Sequence, residues 1–281
     1  MSIYKIIFSP TGGTDKVANS FVQAFGQEAK TIDLTDFATD FHQISLTQED
    51  ICMVAVPSFG GRVPAIAAER LEKIRANGAK AILIVVYGNR AYDDTLLELK
   101  TILRNSGFCC VAAVAAVAEH SIMHRYAQGR PDHKDLEELS QFAKQIRQRI
   151  EEGRIPDDLV LPGSSPYREY HGVPIKPVTK KNCTNCGLCA KKCPVQAIPL
   201  TNPSKTDHKK CISCMRCIGI CLTHSRSINK ILAAIAANKM KKVAVNPRKT
   251  NYFSEHNCRF VFLHSWKPSH PMQPLGSAKI F

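Results

Sequence analysis

Residues 3–25 read IYKIIFSPTGGTDKVANSFVQAF, and three kinds of structure follow one another in that stretch. Ile3 to Phe8 is an apolar run of strand length. Ser9 to Thr14 is built of hydroxyls, a proline and two glycines, and about Asp15 to Phe25 carries apolar residues at helical spacing. A strand that turns directly into a helix leaves helix N–H groups at the turn. With Ser9, Thr11, Gly12, Gly13 and Thr14 they form a cup of N–H and O–H donors suited to a phosphate monoester. The loop lacks the Gly-Lys-Ser/Thr ending of a P-loop and the G-x-G-x-x-G of dinucleotide folds. Hydroxyls ahead of a helix also serve as a plain N-cap, and this loop alone leaves that reading open.

The alternation continues outward. Strands are expected at about Ala29 to Leu34, Ile51 to Val56, Ala81 to Tyr87 and Phe108 to Ala118, with helices at Pro64 to Asn77, Asp93 to Asn105 and Lys134 to Ile150. Strands alternating with helices predict an α/β fold, a doubly wound parallel five-stranded sheet. The order 2-1-3-4-5 places ligands outside the carboxyl ends of its strands. Two more unusual loops fall on that edge: Pro57, Ser58, Phe59, Gly60, Gly61, Arg62 after the third strand, and Tyr87, Gly88, Asn89, Arg90, Ala91, Tyr92 after the fourth. Gly and Asn are ordinary turn formers and Phe59 reads equally as core. The fifth strand leads into Glu119, His120, Ser121, His124, Arg125 and then Gly129 to Asp132, which suit either a contact to a ligand or a docked domain, or a solvated loop.

The first loop resembles the flavodoxin phosphate loop, T/S-x-T-G-x-T, with Ser9, Thr11, Gly12 and Thr14 at matching positions. The resemblance implies FMN bound noncovalently. Its phosphate would lie at Ser9 to Thr14, and its ring between one loop of Ser58, Phe59, Gly60 and Gly61 and another of Tyr87, Gly88, Asn89 and Tyr92.

A second signal stands further on. Cys183, Cys186, Cys189 and Cys193, with Pro194, repeat their spacing in Cys211, Cys214, Cys217 and Cys221. C-x2-C-x2-C-x3-C is the spacing of two-cluster ferredoxins, in which the fourth cysteine ligates the other cluster. Two 4Fe-4S clusters are expected, one on Cys183, Cys186, Cys189 and Cys221, the other on Cys211, Cys214, Cys217 and Cys193. Zinc uses C-x2-C pairs too, but leaves the third and fourth cysteine of each run unexplained. The segment resembles bacterial dicluster ferredoxins and departs from them at Leu222, where a proline is expected after Cys221. Of the remaining cysteines, Cys52, Cys109 and Cys110 read as small buried hydrophobes, and Cys258 has no spacing for a site.

With 281 residues the chain has room for about two domains. The expected divisions are 1–152, a flavodoxin-like FMN-binding domain; 153–178, a Pro-rich semi-rigid linker; 179–225, a small α+β dicluster ferredoxin-like domain; and 226–281, a C-terminal amphipathic helix and irregular tail. That helix is expected over Ser227 to Met240, packed through Ile228, Ile231, Leu232 and Ile235, although a basic amphipathic helix also suits a membrane surface. From Asn251 on, including Trp266 to Pro274, no period or motif is visible. No run reaches the length of a membrane span, no signal peptide is legible, and clustered thiolates favour a reducing compartment, so a cytoplasmic location is expected. Of the net +14, residues 176–250 hold 16 Lys and Arg against one acid, whereas residues 1–175 hold 19 against 22. Such a surplus suits acidic redox partner proteins. Nucleic acid is not expected, since no fold for it accompanies the charge; a homodimer is left open.

Taken whole, residues 1 to about 245 resemble the flavodoxin-ferredoxin fusion proteins of anaerobic bacteria, sometimes called the EFR1 family. The resemblance implies electron transfer: FMN takes two electrons and each cluster moves one, so the fusion converts between paired and single electrons. Two alternatives accompany it. One is an FMN-dependent reductase of a small acceptor, fed by the clusters, with His120 or Tyr92 as proton donor. The other is a redox-sensing binding module.

Overall fold

The computed structural model describes residues 1–244 and 246–254. Its main sheet is formed by β1 (Ile3–Ile7), β2 (Ala29–Asp33), β3 (Ile51–Pro57), β4 (Lys80–Tyr87) and β5 (Cys109–Val117), parallel and in the order β2-β1-β3-β4-β5. The helices are α1 (Gly13–Phe25), α2 (Ala65–Leu71), α3 (Thr95–Asn105) and α4 (His133–Glu151). Strands covered on both faces need apolar residues at consecutive positions, and β3, β4 and β5 are such runs. Alternate side chains divide between two layers. Ile6, Phe8, Val54, Leu83 and Val85 pack with Ala67, Leu71, Leu96 and Leu99 of α2 and α3. Ile7, Met53, Ala55, Ile82 and Ile84 pack with Val17, Phe21, Leu139 and Phe142 of α1 and α4. Phe21 and Phe142 meet edge to face across that second layer at 6.4 Å; truncating either to Ala is expected to cost about 3–5 kcal/mol.

Several boundaries differ from the sequence reading. The second helix stops at Leu71 rather than Asn77, because the chain turns through Asn77 (φ 48°) and Gly78 (φ 84°) to enter β4. The third starts at Thr95, after Asp93 at φ 39°. A sixth strand, β8 (Asn251–Phe253), joins the sheet antiparallel to β5, pairing Tyr252 with Val114. It falls where no pattern was visible, and Tyr252 lays its ring on Phe142, with centroids 4.4 Å apart.

The cysteine-rich half is framed by an antiparallel pair, β6 (Pro177–Thr179) and β7 (Arg226–Ile228), with the one-turn helices α5 (Leu188–Lys191) and α6 (Arg216–Gly219) between them. β7 therefore begins directly after residue 225 and pairs with residues ahead of the first cysteine. The last helix, α7, spans Lys230–Ala244, its first N–H groups capped by the Asn229 side chain. It attaches through Ala236, Ala237, Met240 and Ala244 against Ile122, Met123 and Tyr126. Ile231, Leu232 and Ile235, expected to pack inward, are exposed. Cys258 and residues 266–274 lie outside the described residues.

Residues 153–178 do not hang free. Leu159 and Leu161 are buried in the layer beneath α2 and α3. The buried Asp94 carboxylate accepts the N–H of Ser164 at 2.8 Å and that of Arg168 at 2.7 Å.

Candidate functional site

The phosphate cup forms because Gly12 sits at φ 89° as the N-cap of α1, a left-handed conformation that glycine adopts without strain. Gly12 itself brings no side chain to cap the helix, and the space where its Cβ would stand is open. The Ser9 hydroxyl accepts the Asp15 N–H at 3.0 Å, which fixes the loop, while Thr11 and Gly12 are exposed and Thr14 is buried. A helix N-terminus entered through an open glycine, with the exposed Thr11 beside it, fits a phosphate monoester.

The two ring loops are arranged differently. Phe59 and Arg62 close a tight turn over Gly60 (φ 62°) and Gly61 (φ 91°), and Phe59 stands edge-on to Phe8 at 6.5 Å, making it a core contact. The Ser58 hydroxyl is paired with that of Thr95 at 2.8 Å. Tyr87 and Tyr92 meet edge to face at 5.2 Å. Their polar ends are taken up by the C-terminal segment: the Tyr87 hydroxyl donates to the Lys249 carbonyl at 3.2 Å, and Asn251 donates to the Tyr92 hydroxyl at 3.2 Å. Asn89, at φ 65° and buried, donates to the carbonyls of Ala244 (2.6 Å) and Asn246 (3.0 Å) and accepts from Arg248 N–H (2.8 Å).

The glycines of both loops are roofed by the chain itself. Tyr170 lies against Gly60, Asp93 and Arg168 against Gly61, and the His120 ring stands 2.7–2.8 Å from where a Gly88 Cβ would be. His120 is half-buried, and its partial burial, with His124 and Arg90 nearby, holds its pKa down at about 4. The neutral ring accepts from the N–H of Ile122 and Met123 through Nδ1. Tyr170 and Arg168 were not singled out in the sequence; two tyrosines within a proline-rich stretch, Tyr167 and Tyr170, were the available signal. Thus the loop expected to take a phosphate is open, and the two loops expected to hold a ring are covered, one by Asp93 and residues 168–170 and the other by His120.

The eight cysteines fall into two adjoining settings, joined where Cys189 and Cys217 share one apolar cluster. Cys193, Cys211, Cys214 and Cys217 line one cavity, together with Pro194, Ile198, Met215 and Arg216. Burial pushes the Cys214 and Cys217 thiols up to about 12, and the neighbouring Cys193 and Cys211 thiolates add to the rise. Four thiols in one buried space ionise together only against a cationic load, as an iron-sulfur core supplies. In the second setting, Lys180 N–H donates to the Ser225 carbonyl at 2.8 Å and Asn182 to that of Thr223 at 3.0 Å, which draws the Cys183 loop beside Cys221. Against a burial cost, the N–H groups of Arg226, Ser225 and Thr223 and the Thr223 hydroxyl hold the Cys221 thiol below its ordinary value. Cys186 is exposed and Cys189 buried. Among the described residues no three His, Cys, Asp or Glu side chains gather closely enough to hold a single metal ion. A cubane holds its thiolates further apart than one ion does. Cys52 and Cys110 are buried thiols in the sheet, and Cys109 is half-buried.

The two halves meet at the carboxyl edge. Arg70 of α2 donates to the Leu34 carbonyl at 2.6 Å and to the Pro194 carbonyl at 2.7 Å. Arg216, between Cys214 and Cys217, donates to the carbonyl of Ser9, the first residue of the phosphate loop, at 3.4 Å. Ile212 packs against the core beneath α2 and α3.

Residues 177–198 match the family model of the 4Fe-4S binding domain. Among curated proteins none matches the chain. Among solved structures it is similar to a flavodoxin of Streptococcus pneumoniae TIGR4, with 19% identity over 53% of this chain and 99% of that one at a TM-score of 0.39. A two-electron reduced flavodoxin of Megasphaera elsdenii gives 16% identity over 51% and 98% at 0.33, and an azoreductase of Bacillus anthracis gives 10% over 52% and 100% at 0.36. The chain joins an α/β half with the strand order β2-β1-β3-β4-β5 to a half that carries the match to the 4Fe-4S binding domain. Among the described residues no helix is long and apolar enough to cross a membrane.

Proposed function

We propose that this chain passes electrons between a noncovalently bound FMN and two 4Fe-4S clusters, serving separate redox proteins rather than turning over a small substrate. The observation that carries the reading is the cavity lined by Cys193, Cys211, Cys214 and Cys217, set by Arg216 and Ile212 against the sheet edge that bears the phosphate loop. Cys193 comes from the first run and the other three from the second, the crossed arrangement of two-cluster ferredoxins. FMN exchanges electrons singly or in pairs and each cluster exchanges one, so joining them links the two kinds of carrier.

The residues of the chain would hold, orient and shield. Thr11, Gly12 and the first N–H groups of α1 would take the phosphate; the Gly60–Gly61 backbone would face the ring once residues 168–170 yield, and the Gly88 backbone once His120 does. A reductase would need an open pocket with a proton donor. Burial instead holds the Tyr92 pKa above the ordinary tyrosine value, and the half-buried His120 is a neutral acceptor toward two backbone N–H groups. Anaerobic purification followed by iron, sulfide and flavin analysis tests the reading, with two clusters' worth of iron and sulfide per FMN as the expected result. Flash reduction of the flavin should then bleach the clusters at a rate independent of protein concentration. A chain that loads zinc, or no flavin, would refute it.

A further inference from the structure

The two cysteine sets are not equivalent in their surroundings. The 211–217 loop is held from both sides: the partly buried Ile212 packs against the core under α2 and α3, Arg216 reaches Ser9, and the Ser213 hydroxyl donates to the Val173 carbonyl at 3.4 Å. Lys176 donates to the Cys211 carbonyl at 2.6 Å, and Arg70 fixes Pro194 beside Cys193. The partners of the 180–183 segment lie in its own half, at Thr223, His224 and Ser225. Around that second set the surface is open. Cys186 is exposed, Leu222 directly after Cys221 is 81% exposed, and Leu200, near Gly187 in the 186–189 loop, is 61% exposed. Lys180 and Lys181 flank the same loop, both exposed. The only acid in residues 176–250, Asp207, turns its carboxylate to the N–H groups of Lys209 and Lys210.

We propose that the two sets divide the work. Resting on the reading above, Cys193, Cys211, Cys214 and Cys217 form the internal relay facing the flavin half, and Cys183, Cys186, Cys189 and Cys221 form the port through which electrons leave or enter. The surface carrying Leu222 and Leu200 with Lys180 and Lys181 is the docking face for an acidic one-electron redox protein. Exposed leucines provide the apolar contact and the lysines steer a partner of opposite charge. In the outward direction one electron would pass per encounter from the cluster that the port set would hold to the partner's centre, oxidising the one and reducing the other with no bond made or broken.

The test uses the full chain with iron and flavin loaded anaerobically, and an acidic [2Fe-2S] ferredoxin as the probe acceptor. Leu222→Ser combined with Lys181→Gln alters no expected ligand and should lower the second-order rate of ferredoxin reduction by about tenfold or more at low salt. Flavin-to-cluster transfer inside the chain and iron content should stay at parental values, as should the ferredoxin rate of a Lys241→Gln control on α7. A second readout is independent of turnover. A soluble dysprosium chelate should broaden the EPR signal that Cys221→Ser perturbs and leave sharp the one that Cys193→Ser perturbs. Equal broadening of both signals, or a parental ferredoxin rate in the double variant, would overturn the division while leaving the cofactor assignment standing. Failure of the parent chain to load two clusters would remove both.

Discussion

Asp94→Ala should release the cover over the ring end of the site. The Asp94 carboxylate is buried and accepts two N–H groups from residues 164–168, at 2.8 and 2.7 Å. A hydrogen bond to a charged acceptor contributes about 1.5–3 kcal/mol. Ser164 and Arg168 are themselves exposed, so water replaces part of what they lose, and the lower end applies to each. The pair then holds the segment by about 3 kcal/mol, which raises its opening equilibrium roughly 100-fold when removed. The helix below is spared, because Asp94 caps α3 through its carbonyl, which accepts Glu98 N–H at 2.9 Å, and not through its side chain. Hydrogen exchange of residues 160–172 is the assay, with protection expected to fall by up to that factor while α3 and β4 exchange as before. Arg62, which donates to the Arg168 carbonyl at 2.7 Å, is still in place, so about 100-fold is the upper figure. Because Tyr170 covers Gly60, FMN should both associate and dissociate faster in the variant, and Asp94→Asn, which keeps one acceptor, should fall between. Exchange within about threefold of the parent would refute the reasoning.

Other outcomes are open to direct measurement. Thr11→Val removes an exposed hydroxyl from the phosphate cup, so FMN should bind about 10- to 150-fold more weakly by calorimetry, an energy of about 1.5–3 kcal/mol, with no change in unfolding. Unchanged FMN affinity would place the phosphate elsewhere. His120 is kept neutral in the fold, with a pKa of about 4 against an ordinary 6.5. Its stabilisation is therefore present above pH 6.5 and is lost as the pH falls toward 4, where the unfolded chain binds a proton that the folded chain refuses; the loss is roughly 3 kcal/mol. Urea unfolding of the parent at pH 7 and pH 4.5 should show most of that fall, and His120→Asn, with an oxygen to accept the Ile122 and Met123 N–H groups, should flatten it. Arg70→Met leaves the Leu34 and Pro194 carbonyls without their donor, at about 1–3 kcal/mol each. Faster exchange in residues 194–198 should follow, and parental exchange there would show that the two halves are held together elsewhere.

The parallel sheet was legible because strands covered on both faces need unbroken apolar runs, and Cys52 to Val56, Ile82 to Val86 and Val111 to Ala118 are such runs. β8 was not, since Asn251 to Phe253 is too short to display a period and its partner is distant in sequence. In α7 the helix was legible but its inner face was not. Ile231, Leu232 and Ile235 suggested the packed side, whereas the helix is anchored by alanines and by backbone carbonyls that accept from Tyr126 and Asn89. Small residues and main-chain acceptors leave no trace in an apolar period. At the site, the turn through Gly12 into α1 and the cysteine spacing were readable because both are local in sequence. The cover at 164–170 was not, because it depends on Asp94 meeting a backbone 70 residues away.

The return of the chain to β5 changes what kind of object the protein is. The cysteine-rich half leaves the sheet through residues 153–176 and comes back to it at β8, so it is a loop of the flavodoxin-like half and not a bead on a string. An appended domain swivels about one hinge, but one anchored at both ends swings only if both anchors give. Synthesis imposes an order as well: the sheet lacks its last strand until every cysteine of both runs has been made. Assembly of the thiol sites and closure of the sheet edge are thereby placed in one sequence of events, and a cut at either anchor should free the same motion.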